Sequence, residues 1–364
     1  MPISRAITTR RRRMSATLLA TLLAIALLAS CSLGGGSAGS SASTAKTVVL
    51  ATHDSWAMSP KVLREFTRRS GYTVKVEKNG DAGALTNKLV LTKGSPIADA
   101  TFGIDNTFAS RAVDQGVLTA YRAPHRPRSA ASYALPDPKE AARLTPIDYG
   151  DVCVNIDDVW FRKHRVTPPR TLDDLARPAY RNLFVTPGAT TSSPGLAFLL
   201  ATIAKYGKDW PAYWRRLMAN GTKLTSGWSD AYDVDFTAGG GHGSRPIVLS
   251  YASSPPFTIP KGASRPTTSA LLDTCFRQVE YAGVLAGARD PAGAKAFVDF
   301  MTQRSFQAAL PENMYVFPVD RSVSLPPDWA KFARTASKPF TVPPAEIARN
   351  RDTWLRQWGE ITSR

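Results

Sequence analysis

Cysteine and histidine are scarce in this chain, at three and four of 364 residues. None of the cysteines has the spacing of a metal site, and so few histidines exclude a His-rich metal cluster. There is no Gly-x-Ser-x-Gly elbow and no histidine motif of the zinc-hydrolase type. An enzyme needs a nucleophile with a positioned base. The histidine in Gly239-Gly240-Gly241-His242-Gly243 reads as part of a loop instead. No internal repeat and no nucleic-acid-binding motif is present. The reading is therefore of a non-enzymatic protein with no cofactor, no metal and no nucleic-acid partner.

Acidic residues are outnumbered, giving a net charge of +17. Subtracting the five arginines that precede Cys31 leaves +12. Beyond Arg68-Arg69 and Arg215-Arg216 the basic residues are scattered. This pattern reads as a solvated basic surface suited to an anionic membrane face.

The N-terminus carries Arg5 and Arg10 to Arg13 without an acid, then an apolar run centred on Leu18 to Leu28. That is the charged and apolar layout of an export signal. The run is shorter than the ~20 residues a membrane-spanning helix needs. It ends in Leu28-Ala29-Ser30-Cys31, which resembles the bacterial lipobox. Small residues there admit the peptidase, and the Cys31 thiol takes the lipid. The arginine cluster leaves both Sec and twin-arginine export open. Residues 1–30 are thus expected to be a lipoprotein signal peptide. Residues 31–45, rich in Gly, Ser, Ala and Thr, are expected to be a flexible tether. Two cysteines then remain, Cys153 and Cys275, and in an oxidising space they are either a disulfide or two buried thiols.

From residue 47 the chain alternates strand and helix. Thr47 to Ala51 reads as a buried strand, and a helix over 60–70 opens at Pro60 behind Ser59 as its cap and stops at Gly71. Strands are expected at 72–77 and 98–103, and helices at 81–93 and 106–115. This rhythm argues for an α/β lobe with a largely parallel sheet. Ligands of open α/β sheets sit beyond the carboxyl ends of strands. That rule selects His53-Asp54-Ser55-Trp56 and Gly103-Ile104-Asp105-Asn106.

Ile147 to Asn155 reads as a strand crossing into a second lobe. Strands at 183–185 and 247–250 and a helix after Gly195 repeat the pattern. The chain crosses back near 278–285, and helices follow at 291–303, 304–310 and 343–361. The expected organisation is a first lobe over 46–146, a second over 147–283, and a return to the first lobe with C-terminal helices over 284–364.

Several stretches in this order resemble the thiamine-binding subfamily of ABC-importer solute-binding proteins. They are Asp54-Ser55, Gly103 to Asn106, Thr191 to Leu196, Gly227 to Tyr232, Leu249 to Pro255, Gln278-Val279-Glu280 and Phe317-Pro318-Val319. The resemblance runs over most of 47–360. It implies a two-lobed periplasmic-binding-protein fold of type 2 with the ligand in the interlobe cleft. It also implies thiamine or a thiamine phosphate as ligand, an ABC permease with its ATPase subunit as partner, and a lipid anchor on the outer face of the cell membrane. Asp105, followed by Asn106, lies where the family meets the ligand with an acid. Trp228, Tyr232 and Tyr251 lie where it supplies aromatic walls. Ser192 and Ser193 lie in a turn that meets polar or phosphate groups. Tyr315 stands where relatives place a Trp, and His53, ahead of Asp54 and Ser55, where they place a Tyr.

The ligand chemistry is consistent with these residues. Thiamine carries a permanent thiazolium cation, and each cation–π contact contributes ~0.5–2 kcal/mol. A carboxylate such as Asp105 offsets the burial of that cation. A phosphate arm would seek N–H groups at a helix start, for which the turn Thr190 to Gly195 is a candidate beside its plain role as a helix cap. Asp105 equally fits an Asx-type turn ahead of Thr107. A ferric-iron or polyamine binder of the same fold is the alternative, although iron sites favour paired tyrosinates and Tyr251 is followed by Ala252 and Ser253.

Overall fold

A computed structural model of the chain describes residues 46–363. The expected signal peptide, Cys31 and the whole of the expected tether lie outside the described residues. No described helix is long and apolar enough to cross a membrane.

The strands are β1 (Lys46–Thr52), β2 (Tyr72–Lys78), β3 (Ala100–Asp105), β4 (Leu118–Thr119), β5 (Thr145–Asp157), β6 (Phe184–Pro187), β7 (Lys223–Thr225), β8 (Ile247–Tyr251), β9 (Thr268–Ala270), β10 (Phe276–Leu285) and β11 (Phe317–Pro318). They form one continuous sheet in the order β2-β1-β3-β10-β5-β8-β6-β7. β1 pairs in parallel with β2 and β3, as the strand–helix rhythm predicts. β6 likewise lies parallel to β7 and β8. The two long strands at the centre, β5 and β10, run antiparallel and join these parallel halves. Cys153 of β5 and Cys275, one residue before β10, are bonded to each other.

The helices follow their local signals closely. Gly71 closes the helix Pro60–Ser70 in the left-handed conformation, φ 75°. Ser59 occupies the cap position, but its side chain makes no capping hydrogen bond, contrary to its expected role. Asp81 caps Ala82–Leu91 with its own carboxylate. The helix after β3 begins only at Ala109, because Asp105 first holds Thr107 and Phe108 in a turn. The helix Arg304–Met314 runs through Pro311 instead of ending before it. β4, β9 and β11, of two or three residues, are too short to leave a periodic signal.

Packing distributes the aromatic residues over both halves. Phe66, Phe297, Phe300 and Phe306 interlock beneath β1 and β3, with Phe66 and Phe297 edge to face at 4.9 Å. In the other half, Phe198 meets Trp214 edge to face at 5.5 Å. Trp358 of the C-terminal helix Pro344–Thr362 meets that same Trp214 edge to face at 5.5 Å. The last helix therefore packs on Trp210–Ala219, in the half of the sheet away from β1.

Candidate functional site

The turns that follow β1 and β2 face the end of β8 and the turn 226–230. The two groups of residues enclose a cleft. Its inner cavity is lined by His53, Asp81, Trp228, Tyr251, Glu280 and Tyr315, together with Ser55 and Ser193. Its outer cavity shares Ser55, Asp81 and Trp228 and adds Asp54, Thr191 and Asp230. No Lys or Arg lines either cavity.

His53 is held at the inner end because Gly103 makes room for it. Gly103 has φ +105°, and a Cβ there would stand 2.2 Å from His53 Cδ2. The imidazole Nε2 lies 3.4 Å from Glu280 Oε1. Burial lowers the imidazole's proton affinity, but Glu280, with Asp81 and Asp54, more than offsets this and holds it above its ordinary range. Asp54 is exposed at the rim, where its Oδ1 accepts from Gly80 N at 3.0 Å. Ser55 Oγ reaches Ser229 Oγ across the cleft at 3.4 Å.

The aromatic wall is built from Trp228 outward. Its indole stacks on Tyr232 at 4.9 Å and 14°. Its ring centroid lies 6.3 Å from that of Tyr251 and 6.4 Å from that of Tyr315. Trp228 Nε1 donates to Ser250 Oγ at 3.0 Å, which fixes the ring. Tyr251 lies over Gly150, where a Cβ would stand 2.9 Å from its ring. Tyr315 sits at φ 61°, a conformation few non-glycine residues adopt, and its carbonyl accepts from Ser253 Oγ at 2.5 Å. Its ring stacks on Phe257.

Asp105, Asn106, Ser192 and Tyr232 line neither cavity. Asp105 is fully buried, and its Oδ1 accepts from Thr107 N, Thr107 Oγ1 and Phe108 N. Its Oδ2 accepts from Ser193 Oγ at 2.5 Å. Burial raises its carboxyl to about 6, against the hydrogen bonds of Ser193 and Thr107 that lower it. The residue expected to meet a ligand thus serves a turn and supports Ser193. Asn106 clamps β3 to β10 through Arg277 O and Val279 N. Ser192 caps the helix Ser193–Tyr206 by accepting from Gly195 N at 3.3 Å. The cap expected of that turn is thus formed by Ser192, while Ser193 lines the inner cavity. Tyr232 backs Trp228 and is itself buried.

Two acids at the cleft did not stand out in the sequence. Asp81 reads as an ordinary helix start, yet its Oδ2 also accepts from Trp228 N, on the opposite wall, at 2.8 Å. Burial raises its carboxyl, and the N–H groups of Trp228 and Ala82 hold it down. Glu280 stands inside the otherwise buried β10, and an acid in such a strand was the available signal. The registers of β10 with β3 and β5 shift beside it, and such bulges re-aim side chains next to sites.

The inner cavity holds only about 30 Å³ and the outer about 140 Å³. Small-molecule sites commonly run to roughly 300–1,000 Å³. The walls are drawn together by Asp81 on Trp228 N, and by Ala84 N donating to Thr191 O at 2.9 Å. Admitting a ligand requires these contacts to part.

Comparison with known proteins agrees with this architecture. The profile of the bacterial extracellular solute-binding proteins matches residues 95–238. The thiamine-binding periplasmic protein of Brucella suis biovar 1 is 29% identical over 324 residues, spanning 87% of this chain and 92% of its own length. A solved periplasmic thiamin binding protein superposes with a TM-score of 0.75 at 27% identity, over 87% of this chain and 96% of its own. Iron-bound HitA from Pseudomonas aeruginosa shares the fold, with a TM-score of 0.65 at 19% identity over 86% and 99%. Its two parallel half-sheets and its cleft are those of the type 2 periplasmic-binding-protein fold, and the chain is similar to bacterial extracellular solute-binding proteins.

Proposed function

We propose that this protein captures thiamine in the cleft and delivers it to an ABC permease and its ATPase subunit. The observation that carries this reading is a contrast of charge. A chain of net charge +17 presents a cleft without one Lys or Arg among its lining residues. Acids and aromatic faces take their place. A flat permanent cation fits that combination, since ring faces attract it and carboxylates offset its desolvation. The thiamine-binding names of the relatives in Brucella suis and of the solved neighbour point the same way.

The same contrast ranks the phosphates. Asp54, Asp81 and Asp230 around the outer cavity repel an added phosphate, and no Lys or Arg is among its lining residues. The expected order of affinity is thiamine, then its monophosphate, then its diphosphate. We further propose, from the lipobox, that Cys31 is acylated and anchors the protein to the outer face of the membrane.

Calorimetric titration of the purified protein with thiamine and its two phosphates, with spermidine and ferric citrate as controls, tests the ligand. One-to-one binding with thiamine tightest is expected. Tighter binding of the diphosphate would overturn the ranking, and binding of spermidine or iron alone would overturn thiamine as ligand.

A further inference from the structure

Three acids lie abreast across the middle of the sheet. In register, Glu280 of β10 is paired with Asp105 of β3 on one side and Asp148 of β5 on the other. All three are buried. Like charges directly opposite in a sheet repel, and burial magnifies the repulsion. Asp105 is served by the donors of Thr107, Phe108 and Ser193. Glu280 faces His53. Asp148 differs from both, because neither of its oxygens has a hydrogen-bond donor among the described residues. Only the carboxyl of Glu280 stands beside it.

A buried carboxylate with no donor is unfavourable, whereas two carboxyls sharing a proton form a hydrogen bond. We propose that Asp148 is a positioning residue that holds a proton against Glu280 in the empty cleft, and that a cationic ligand competes with this proton. Capture of the cation then strengthens ionisation of the pair and passes part of a proton to solvent. The proposal rests on the cationic ligand put forward above. It concerns Asp148, which lies outside both cavities.

The surroundings support this. Burial first, then the charge of the neighbouring Glu280 carboxyl, hold the Asp148 carboxyl well above the usual carboxylate range. The other titratable groups around the pair are His53 after β1, Asp81 at the helix start, Asp105 on β3 and Tyr251 at the end of β8. Arg277, on β10 itself, is engaged with Asp151. His53, together with Asp105 and Asp81, whose carboxyls burial also raises, could supply the proton, and the experiment must separate Asp148 from them.

Thiamine is titrated into wild-type protein, Asp148→Asn and His53→Gln across a pH series, in buffers of different ionisation heat. Asn keeps a hydrogen-bond donor toward Glu280 but has no proton to lose. Wild-type affinity is expected to rise with pH, by at most about tenfold per pH unit for a single proton. Asp148→Asn is expected to flatten this slope and remove the buffer-dependent heat, while His53→Gln retains most of both. An unchanged slope in Asp148→Asn, or its loss in His53→Gln alone, would overturn the proposal. Infrared difference spectra of the ligand-free proteins at neutral pH supply a second test. A protonated-carboxyl band present in wild type and absent from Asp148→Asn is expected, and a null difference between folded proteins would overturn the shared proton. Failure of thiamine to bind any of the three would strike the ligand reading, and the infrared comparison would still decide the pair.

Discussion

The floor and the wall of the cleft use different physics. The floor is charge set in buried strands: Glu280 lines the cleft beside His53, with Asp148 and Asp105 abreast of it outside the cavities. The wall is ring surface carried on turns: Trp228 backed by Tyr232 and flanked by Tyr251 and Tyr315. Strands hold the acids in fixed register, where repulsion between them is available to a cation that relieves it. The wall is tied to the opposite side of the cleft by Trp228 N donating to Asp81 Oδ2, a contact that must part for a ligand to enter. A ligand that satisfies only one side is expected to bind poorly.

The strongest way to break this division is at the wall. Trp228→Ala removes a large ring and its cation–π contact, about 3 kcal/mol together, and is expected to weaken thiamine binding about a hundredfold by calorimetry. Glu280→Gln addresses the floor. It is expected to weaken thiamine about tenfold to thirtyfold, in keeping with the ~1.5–3 kcal/mol of a hydrogen bond to a charged group. The same variant should leave a neutral isostere of the thiazolium nearly unaffected, and equal losses for both ligands would mean that Glu280 acts by shape and not by charge. Gly150→Ala probes the wall indirectly. Its Cβ would stand 2.9 Å from the Tyr251 ring, and the displaced ring is expected to reduce affinity about tenfold, the equivalent of ~1.4 kcal/mol.

Asp105→Asn should have the smallest effect on binding, within about threefold, or ~0.7 kcal/mol. Its effect belongs to stability, with a loss of about 1–3 kcal/mol from the donors left with a poorer acceptor. Burial raises the Asp105 carboxyl from 3.8 to about 6 in the folded protein. Folding therefore favours its protonated form. The stability from that preference is complete below pH 3.8 and fades as pH rises through about 6. Thermal unfolding across this window should show a downward contribution in wild type that Asp105→Asn lacks.

The same contrast governs what can be read from sequence. Elements announced by local chemistry are legible: the β-branched run of β1 and the Gly71 stop. The wall residues Trp228, Tyr251 and Tyr315 belong to stretches whose order resembles a known family, and the structure gathers them around one cavity. The floor was harder to read. Asp105 before Asn106 and Thr107 looks the same whether it meets a ligand or closes a turn, and the nearby N–H groups decided for the turn. The row of Asp105, Glu280 and Asp148 exists only through strand register, which joins residues far apart in the chain. The placement of the last helix against Trp214 likewise depends on contact between distant segments.

The bond between Cys153 and Cys275 spans 122 positions of chain. It encircles β6, β7, β8 and the turn that carries Trp228. A protease that nicks the chain once anywhere between these cysteines leaves two fragments still covalently joined. Such a cut changes no mass on a non-reducing gel and yields two bands only after reduction. The segment that carries Trp228 and Tyr251 thereby stays attached to the rest of the protein after a single cut.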